Sequence, residues 1–380
     1  MRRITHFAKS SFAFAVTQPL AKSSRSLAAN INLAPSLTSP QEASSLYGPQ
    51  ASFITAGMML RMQQSTRAPA GQRPVLTESE SASVSQCVFK MHNNDSSSLL
   101  LLSDSDGSTV AGLLTQRDYL RTVVLRGVPS ENVNAIDIAT IQLTCALPRY
   151  SLDQMLRLYV EHFTQHVPIV SKSANEKSNV TIDEVHGTLS MADTAWVLWS
   201  VLSHSRDEFH PWTSDSPSPP ADNIADMSIQ EVLDLSHPGG ESALTVSASD
   251  TVLNALKIMD SHKVGGLIVK DENNRNSTSG SSSGFGIFTE LDYLNEVHVK
   301  GRHSSDTLVH EIMTPNPRCV TLDSSVDVAL KEMILHKCRH LPIVVTGKGT
   351  IGYSIGKILS FGDIFRALTD RVERASRGTE

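Results

Sequence analysis

The sequence GIFTELD at residues 286–292 ends a run of apolar residues with a hydroxyl and a carboxylate three positions apart, Thr289 and Asp292. The same pattern occurs as GLLTQRD at 112–118, as GTLSMAD at 187–193 and as KILSFGD at 357–363. Four occurrences in one chain indicate a repeated structural unit, so internal duplication is the simplest interpretation.

The spacing of these motifs indicates duplication at two levels. Asp118 and Asp292 are 174 positions apart, and at the same offset Tyr119 recurs as Tyr293. Within each half, the motif aspartates are 75 and 71 positions apart. The chain therefore contains four units of roughly 70 residues, grouped as two halves.

The sequence pattern of each unit predicts the same order of elements: strand, helix, strand, strand, helix. Val326, Ala329, Leu330 and Met333 follow the helical period, and an apolar strand begins at Leu341 shortly after them. A second strand then ends in the repeated motif, which opens another helix. Because a unit of this size buries little apolar surface alone, we expect neighbouring units to pair face to face through their sheets.

Composition and charge exclude several classes of protein. The 380 residues are 40% hydrophobic and 19% charged, which is ordinary for a globular protein, and the formal net charge of −6 provides no basic stripe for nucleic acid. No apolar stretch reaches the roughly 20 residues of a membrane-spanning helix. The four cysteines lie far apart, so we expect reduced thiols and no zinc site.

The N-terminus differs from the rest of the chain. Residues 1–41 contain no Asp or Glu but include Arg2, Arg3 and Lys9, a composition typical of a mitochondrial transit peptide. The alternative is a cytoplasmic protein with a disordered tail. The predicted segments are a targeting peptide and disordered linker at 1–73, a first module at 74–205 with units 74–130 and 134–205, a linker at 206–225, a second module at 226–370 with units 226–300 and 308–370, and a tail at 371–380.

These units resemble the CBS domain, whose tandem pairs form the Bateman module. The resemblance rests on HKCRHLPIV at 336–344, on EIMTP at 311–315 and on the four motifs. TQRDYLR at 115–121 and TELDYL at 289–294 are similar to small mitochondrial CBS-pair proteins in particular. The fold that this implies is α/β (α+β), with β-α-β-β-α units paired into two pseudo-two-fold Bateman modules.

The resemblance implies a regulatory module that binds an adenosine compound in the cleft between paired units and performs no catalysis. The ligands of the family include AMP, ADP, ATP, S-adenosylmethionine and NAD(H). The ribose hydroxyls would be bound by the motif aspartates, Asp118, Asp193, Asp292 and Asp363. The phosphate would accept from the motif hydroxyls, Thr115, Ser190, Thr289 and Ser360. Apolar contacts to adenine would come from Val167, Pro168, Leu341 and Pro342. Candidates to neutralise the phosphate are Arg339, Arg117, Arg121 and Arg318. Units 2 and 4 have a proline in the apolar strand that follows the first helix, Pro168 and Pro342, so we expect the better sites there.

The motifs also have an explanation that needs no ligand. A Thr or Ser at a helix N-cap with an acid three residues later is a capping box. Aspartate in all four copies favours a ligand, because capping boxes prefer Glu or Gln. His162, His166, His262, His336 and His340 recur near helix C-termini, where we expect a structural role.

No enzyme motif is present in the sequence, and the function remains open between three interpretations. The first is a sensor that binds an adenosine compound and modulates an unidentified protein partner. The second is a regulatory subunit of a larger enzyme, resembling the nucleotide-sensing subunit of the AMP-activated kinase. The third is a ligand-free scaffold. Pairing of two chains into a disc-like homodimer is a further open alternative.

Overall fold

The computed structural model describes residues 30–33, 53–67, 75–171, 179–207, 224–237, 243–270, 285–346 and 353–377. These residues form an α+β fold with four copies of one unit, as the sequence predicts. We define repeat 1 as residues 77–124, repeat 2 as 142–207, repeat 3 as 245–298 and repeat 4 as 320–377.

Repeats 1, 3 and 4 each contain a three-stranded arrangement in which the first strand is parallel to the second and the second is antiparallel to the third. In repeat 2 the second and third strands pair antiparallel as a two-stranded sheet, and the residue after the first strand, Ala146, joins them through a parallel bridge to Ile169. The strands are Thr77–Ser79, Ser98–Leu102 and Val110–Thr115 in repeat 1, Gln142–Cys145, His166–Val170 and Val185–Ser190 in repeat 2, Thr245–Ser247, Gly266–Lys270 and Phe285–Thr289 in repeat 3, and Val320–Thr321, His340–Thr346 and Tyr353–Ser360 in repeat 4. A short strand, Thr314–Pro315, extends the sheet of repeat 3.

Two helices flank each sheet, one after the first strand and one after the third. The first helices are Val84–Asn93, Leu152–Glu161, Val252–His262 and Val326–Leu335. The second helices are Gln116–Tyr119, Met191–Asp207, Glu290–Tyr293 and Phe361–Arg377, of which the first and third continue as π-helical turns at Leu120–Val124 and Leu294–His298. Short helices outside this pattern are Ser130–Asn132, Ala135–Asp137, Ile182–Glu184, Ile224–Asp226 and Val309–Ile312.

The first helix of every repeat ends in the same way. The chain reverses through a residue in the left-handed conformation, with φ of 48° at Asp95, 51° at Phe163, 57° at Lys263 and 51° at Lys337. Such a residue terminates a helix and turns the backbone out of its axis. Two positions later each repeat has a residue that leads directly into the second strand.

Two hydrophobic cores connect the halves of the chain. Repeats 1 and 3 share one core, and repeats 2 and 4 share the other, which also includes Leu100 and Leu113 from the sheet of repeat 1. Within a half, the repeats are joined by backbone hydrogen bonds, such as Val110 N to Val180 O and Ala243 N to Gly356 O, both at 2.9 Å. The sheets therefore pair within halves, helices pack between halves, and all four repeats meet at the centre.

The segment before residue 74 corrects the prediction of a disordered linker. Ala56–Arg67 is a helix in which Ala56 and Met59 are fully buried, and Asn30–Leu33 pairs in parallel with the first strand of repeat 2. This helix corresponds to the helix Ile229–Ser236 of the second half. Thr55 bridges Ser151 at the first helix of repeat 2, just as Ser228 bridges Ser325 at the first helix of repeat 4. The duplication thus begins before residue 56.

Other predicted segments are corrected or lie outside the described residues. The predicted tail at 371–380 is helical as far as Arg377, because Val372 is buried in the second core. Of the predicted targeting peptide and linker at 1–73, residues 1–29, 34–52 and 68–73 lie outside the described residues. Of the predicted linker at 206–225, residues 208–223 lie outside them, and the residues at either end are helical. In the described ranges, none of the helices combines the length and the apolar character that a bilayer crossing requires.

Candidate functional site

A cavity of about 390 Å³ lies where the four repeats meet. In every repeat, the residue that immediately precedes the second strand is part of the cavity wall. These residues are Ser97, Gln165, Gly265 and Arg339. The left-handed turn two positions earlier brings each of them to the centre, so the cavity is a direct product of the repeat architecture.

Repeats 3 and 4 supply most of the remaining wall. Repeat 3 provides its motif, with Thr289 and Asp292, and the connection to repeat 4 provides Thr314, Asn316 and Arg318. Repeat 4 adds the segment 336–340 between its first helix and second strand. Repeat 1 contributes Thr115, Gln116 and Arg117 from the opposite side.

Asp292 uses its two carboxylate oxygens differently. Oδ2 accepts hydrogen bonds from the backbone N–H and the hydroxyl of Thr289, both at 2.7 Å, which forms the helix cap. Oδ1 accepts a longer bond of 3.2 Å from the Thr314 hydroxyl. Burial raises the pKa of the carboxyl, against the opposing effect of these hydrogen bonds. Asp292 can therefore cap its helix and still present Oδ1 to a ligand.

The same cap is present in the other three motifs, with Oδ2 of Asp118, Asp193 and Asp363 accepting from its own Thr or Ser at 2.6 to 2.9 Å. The second oxygen of Asp363 is bound to the chain itself, because His237 Nε2 lies 2.7 Å from Oδ1. Burial would raise the pKa of Asp363, but the bonds from His237 and Ser360 outweigh it and lower the pKa. The capping role is thus common to all four aspartates, and in Asp363 the second oxygen is also bound within the chain.

Arg117 and Glu290 form an ion pair across the cavity wall. Arg117 Nε lies 3.0 Å and 3.3 Å from the two oxygens of Glu290, and Nη2 lies 3.2 Å from Oε2. With the amide oxygen of Gln165 turned toward Arg117, it accepts from Nη1 at 3.1 Å and Nη2 at 2.7 Å. One guanidinium from repeat 1 is therefore held by repeat 2 and repeat 3 together.

Two imidazoles line the cavity next to these charges, those of the buried His166 and the half-buried His340. His166 is bound through Nε2 to the Ser97 hydroxyl at 2.7 Å, while its Nδ1 is buried without a hydrogen-bond partner. Burial, together with the positive charges of Arg339 and Arg117, lowers the pKa of His166 to about 3. Burial is also the main cause that lowers the pKa of His340 to about 4. Both rings are neutral at pH 7.

The cavity as a whole favours an anion. Its wall holds four basic side chains, Arg117, Arg318, Lys337 and Arg339, and two carboxylates, Glu290 and Asp292. The excess of two positive charges, with neutral histidines beside it, can bind a phosphate group. No group of three or more His, Cys, Asp or Glu side chains suited to a metal ion occurs in the part of the chain that the structure describes.

Known proteins identify the family. Residues 71–125, 240–278 and 309–370 match the family model of the CBS domain. Over 161 residues the chain is 32% identical to the CBS domain-containing protein CBSX3, mitochondrial, of Arabidopsis thaliana, and the match covers 41% of this chain and 72% of that protein. The chain belongs to the CBS domain family. Repeat 2 lies outside the three matched ranges, yet it has the same CBS fold.

Two further similarities cover more of this CBS-domain chain. The meiotically up-regulated gene 70 protein of Schizosaccharomyces pombe is 24% identical over 311 residues, and the match covers 73% of this chain but 40% of that protein. The crystal structure of protein MJ1225 from Methanocaldococcus jannaschii, a proposed archaeal homologue of g-AMPK, is matched over its whole length and 83% of this chain, with 12% identity and a TM-score of 0.56. At this identity the likeness shows a shared fold.

The structure brings only part of the predicted site to the cavity. The predicted residues that line it are Thr115, Arg117, Thr289, Asp292, Arg318 and Arg339. Predicted site residues that are not part of its wall are Asp118, Ser190, Asp193, Ser360, Asp363, Val167, Pro168, Leu341 and Pro342. Among them, Val167 and Leu341 are fully buried in the core that repeats 2 and 4 share. Arg121, a predicted phosphate contact, instead lies 3.6 Å from Asp260.

The expectation that repeats 2 and 4 supply the better sites differs from the structure, where the motif of repeat 3 faces the cavity. Gly265 explains the difference. A Cβ at this position would lie 2.7 Å from His340 Nε2, so the missing side chain leaves room for the imidazole. The strand proline has no part in this difference, because the position equivalent to Pro168 and Pro342 is Ile268 in repeat 3, and Ile268 is not part of the cavity wall.

The histidines divide into two groups. His162 and His336 cap the ends of their helices and His262 ends its helix, in accordance with the structural role expected for all five. His166, His336 and His340 also line the cavity, which the sequence analysis missed. A signal was available, because His166 and His340 both precede an apolar strand at equivalent positions of repeats 2 and 4. Glu290 and Gln165 were missed as well, since nothing local marks them.

Proposed function

We propose that this CBS-domain protein is a non-catalytic sensor that binds an adenine nucleotide, such as AMP, ADP or ATP, in the central cavity and modulates a protein partner. The observation that carries the proposal is the combination in one cavity of a capped carboxylate, Asp292, with an excess of positive charge. Membership of the CBS family supports it. S-adenosylmethionine and NAD(H) carry the same adenosine group and are the competing ligands.

The proposed pose follows from the chemistry of the wall. Oδ1 of Asp292 accepts from a ribose hydroxyl, since a carboxylate oxygen has two lone pairs and Thr314 uses one of them. Ile287, Leu291 and Pro317 supply apolar surface for adenine. Arg318, Lys337 and Arg339 neutralise the phosphate.

Signalling would proceed through the contacts between repeats. All four repeats contribute to the cavity wall, so a ligand that prefers one relative arrangement of them shifts the population toward it. A partner that contacts both halves would sense this shift. We further propose a mitochondrial location, which the acid-free N-terminus and the similarity to the mitochondrial protein CBSX3 support.

A ligand-free scaffold is the second candidate, and the capping hydrogen bonds in all four motifs favour it. The two candidates make different predictions for two matched variants. Asp292→Asn and Asp193→Asn each weaken a cap and should each lower the free energy of unfolding by about 1 kcal/mol. Only Asp292 lines the cavity.

The decisive measurement is isothermal titration calorimetry with AMP, ADP and ATP. We expect D292N to weaken binding by about 10-fold or more, because a hydrogen bond to a charged group contributes roughly 1.5 to 3 kcal/mol. D193N should bind within about twofold of the wild type, since its lost bond is outside the cavity. Equal losses in both variants, or no binding to the wild type at millimolar nucleotide, would favour the scaffold.

A further inference from the structure

The ion pair between Arg117 and Glu290 is the only direct contact between opposite charges in the cavity wall among the described ion pairs. Its side chains are 24% and 17% exposed, so solvent screens the pair weakly. Glu290 lies two positions before Asp292 on the same short helix. A nucleotide bound at Asp292 therefore shares the cavity with the Glu290 carboxylate.

This carboxylate affects ligands according to their charge. A single phosphate can be neutralised by Arg318, Lys337 and Arg339 without any demand on Arg117. Each additional phosphate brings more negative charge into the same 390 Å³ cavity, where Glu290 repels it and also occupies the guanidinium edge that could bind it. Glu290 consequently weakens binding more for ligands with more phosphates.

Gln165 allows the charge of Glu290 to be removed without displacing Arg117. It accepts from Nη1 and Nη2 of Arg117, so the guanidinium keeps its place when the charge of Glu290 is removed. The edge formed by Nε and Nη2 would then face the cavity. The unpartnered Nδ1 of His166, buried in the same wall, offers a further hydrogen bond on the side of repeats 1 and 2.

We propose that Glu290 determines how many phosphates the ligand carries: paired with Arg117, it makes the cavity prefer a nucleoside monophosphate over the triphosphate. The inference rests on the proposed function, and it names the ligand preference of that site. Neutralising Glu290 should reverse or flatten this preference without loss of monophosphate binding.

The test measures Kd for AMP, ADP and ATP by calorimetry, without divalent cations so that the phosphate charges stay unshielded. The variants are Glu290→Gln and, as a matched control, Glu296→Gln. Glu296 lies in the same helical segment, pairs with Lys300 and is absent from the cavity wall. Both substitutions remove one negative charge. We expect E290Q to lower the ratio of the ATP Kd to the AMP Kd by about 10-fold, and E296Q to keep the wild-type ratio.

A second variant removes the other member of the ion pair and should change the ratio of the two Kd values in the opposite direction. Arg117→Gln leaves Glu290 unpaired in the cavity, so the ratio of the ATP Kd to the AMP Kd should rise. This variant decides the matter if E290Q does not fold. The inference is overturned if AMP binds but E290Q keeps the wild-type ratio, or if E296Q changes it equally. If no nucleotide binds to the wild type, the proposed function and this inference are both overturned.

Discussion

His166 and His340 occupy the first position of equivalent strands, and burial among arginines keeps both imidazoles neutral. Neutrality suits the phosphate binding that we propose for the cavity, because a neutral ring can donate one hydrogen bond without adding to the repulsion among the arginines. When a dianionic phosphate arrives, its charge favours the imidazolium form and can raise the pKa of both rings.

The lowered pKa of His166 predicts acid sensitivity of the ligand-free protein. The imidazole has its ordinary pKa of 6.5 in the unfolded chain, whereas burial lowers its pKa to about 3 in the folded protein. Between these values the unfolded state holds more protons, so the free energy of unfolding falls as the pH decreases, by up to about 1.4 kcal/mol per pH unit for this group. Stability from this source is fully present above pH 6.5.

Urea unfolding at pH 7, 6 and 5, followed by circular dichroism, checks this prediction for the wild type and His166→Gln. We expect H166Q to be less stable at pH 7, because it disturbs the bond to Ser97, but to lose less stability on acidification. An unchanged pH dependence in H166Q would contradict the assignment of a depressed pKa to His166.

The motif residues show which contacts of a single side chain can be predicted from the sequence. The cap is local, so Thr289 and Asp292 could be predicted from their spacing alone. The contacts that distinguish the four copies are not local. Glu290 meets Arg117 across 173 positions and His237 meets Asp363 across 126, so tertiary packing alone decides which aspartate keeps an oxygen for a ligand.

The helix Ala56–Arg67 shows a similar limit for whole elements. Its buried residues, Ala56, Met59 and Leu60, lie on one face, but the apolar Met58 on another face is 38% exposed, so no clear amphipathic pattern marks the helix. The Ser- and Ala-rich sequence around it suggested a linker. Its partner surface comes from repeat 2, where Gly187 lies against Leu60 and Tyr150 accepts from the Ala56 N–H at 2.7 Å. A helix of this kind is stabilised by packing rather than by propensity, so the sequence signal is weak.

Two neighbouring methionines test whether this helix belongs to the folded unit. Met59 is fully buried, whereas Met58 is 38% exposed. Met59→Ala should lower the free energy of unfolding by about 2 to 5 kcal/mol through a cavity in the core, while Met58→Ala should change it by about 0.5 kcal/mol or less. Chemical denaturation provides the measurement, and equal effects of the two substitutions would show that the helix is not docked.

Pairing across the halves determines how the whole molecule unfolds. Duplication at an offset of 174 positions predicted two equivalent halves and their sheet pairing, but not that each hydrophobic core would draw helices from both halves. That arrangement depends on surfaces that no local pattern defines. Because both cores span the halves, we expect the chain to unfold in one transition rather than module by module.

Tryptophan fluorescence can report this coupling, since the three tryptophans all precede residue 224. Trp196 and Trp199 lie on the second helix of repeat 2, which packs against the helix Val326–Leu335 of repeat 4. Leu330→Ala, at a fully buried position of that helix, should shift the fluorescence transition by about 2 to 5 kcal/mol.

Val328→Ala is the control, because Val328 lies on the same helix and is 42% exposed. It should leave the transition within about 0.5 kcal/mol of the wild type. If Leu330→Ala leaves the tryptophan transition unchanged while circular dichroism shows a destabilised second half, the halves unfold independently.

One structural position, the residue before the second strand, reaches the centre from every repeat, as Ser97, Gln165, Gly265 and Arg339. Gene duplication delivers identical copies of such a position, and each copy can then mutate on its own without disturbing the strands and helices that carry it. Four substitutions can therefore rewrite the chemistry of the centre while the scaffold stays constant. A symmetric ancestor can become asymmetric at its centre in this way, because changes at these four positions alone alter the charge and size of the cavity.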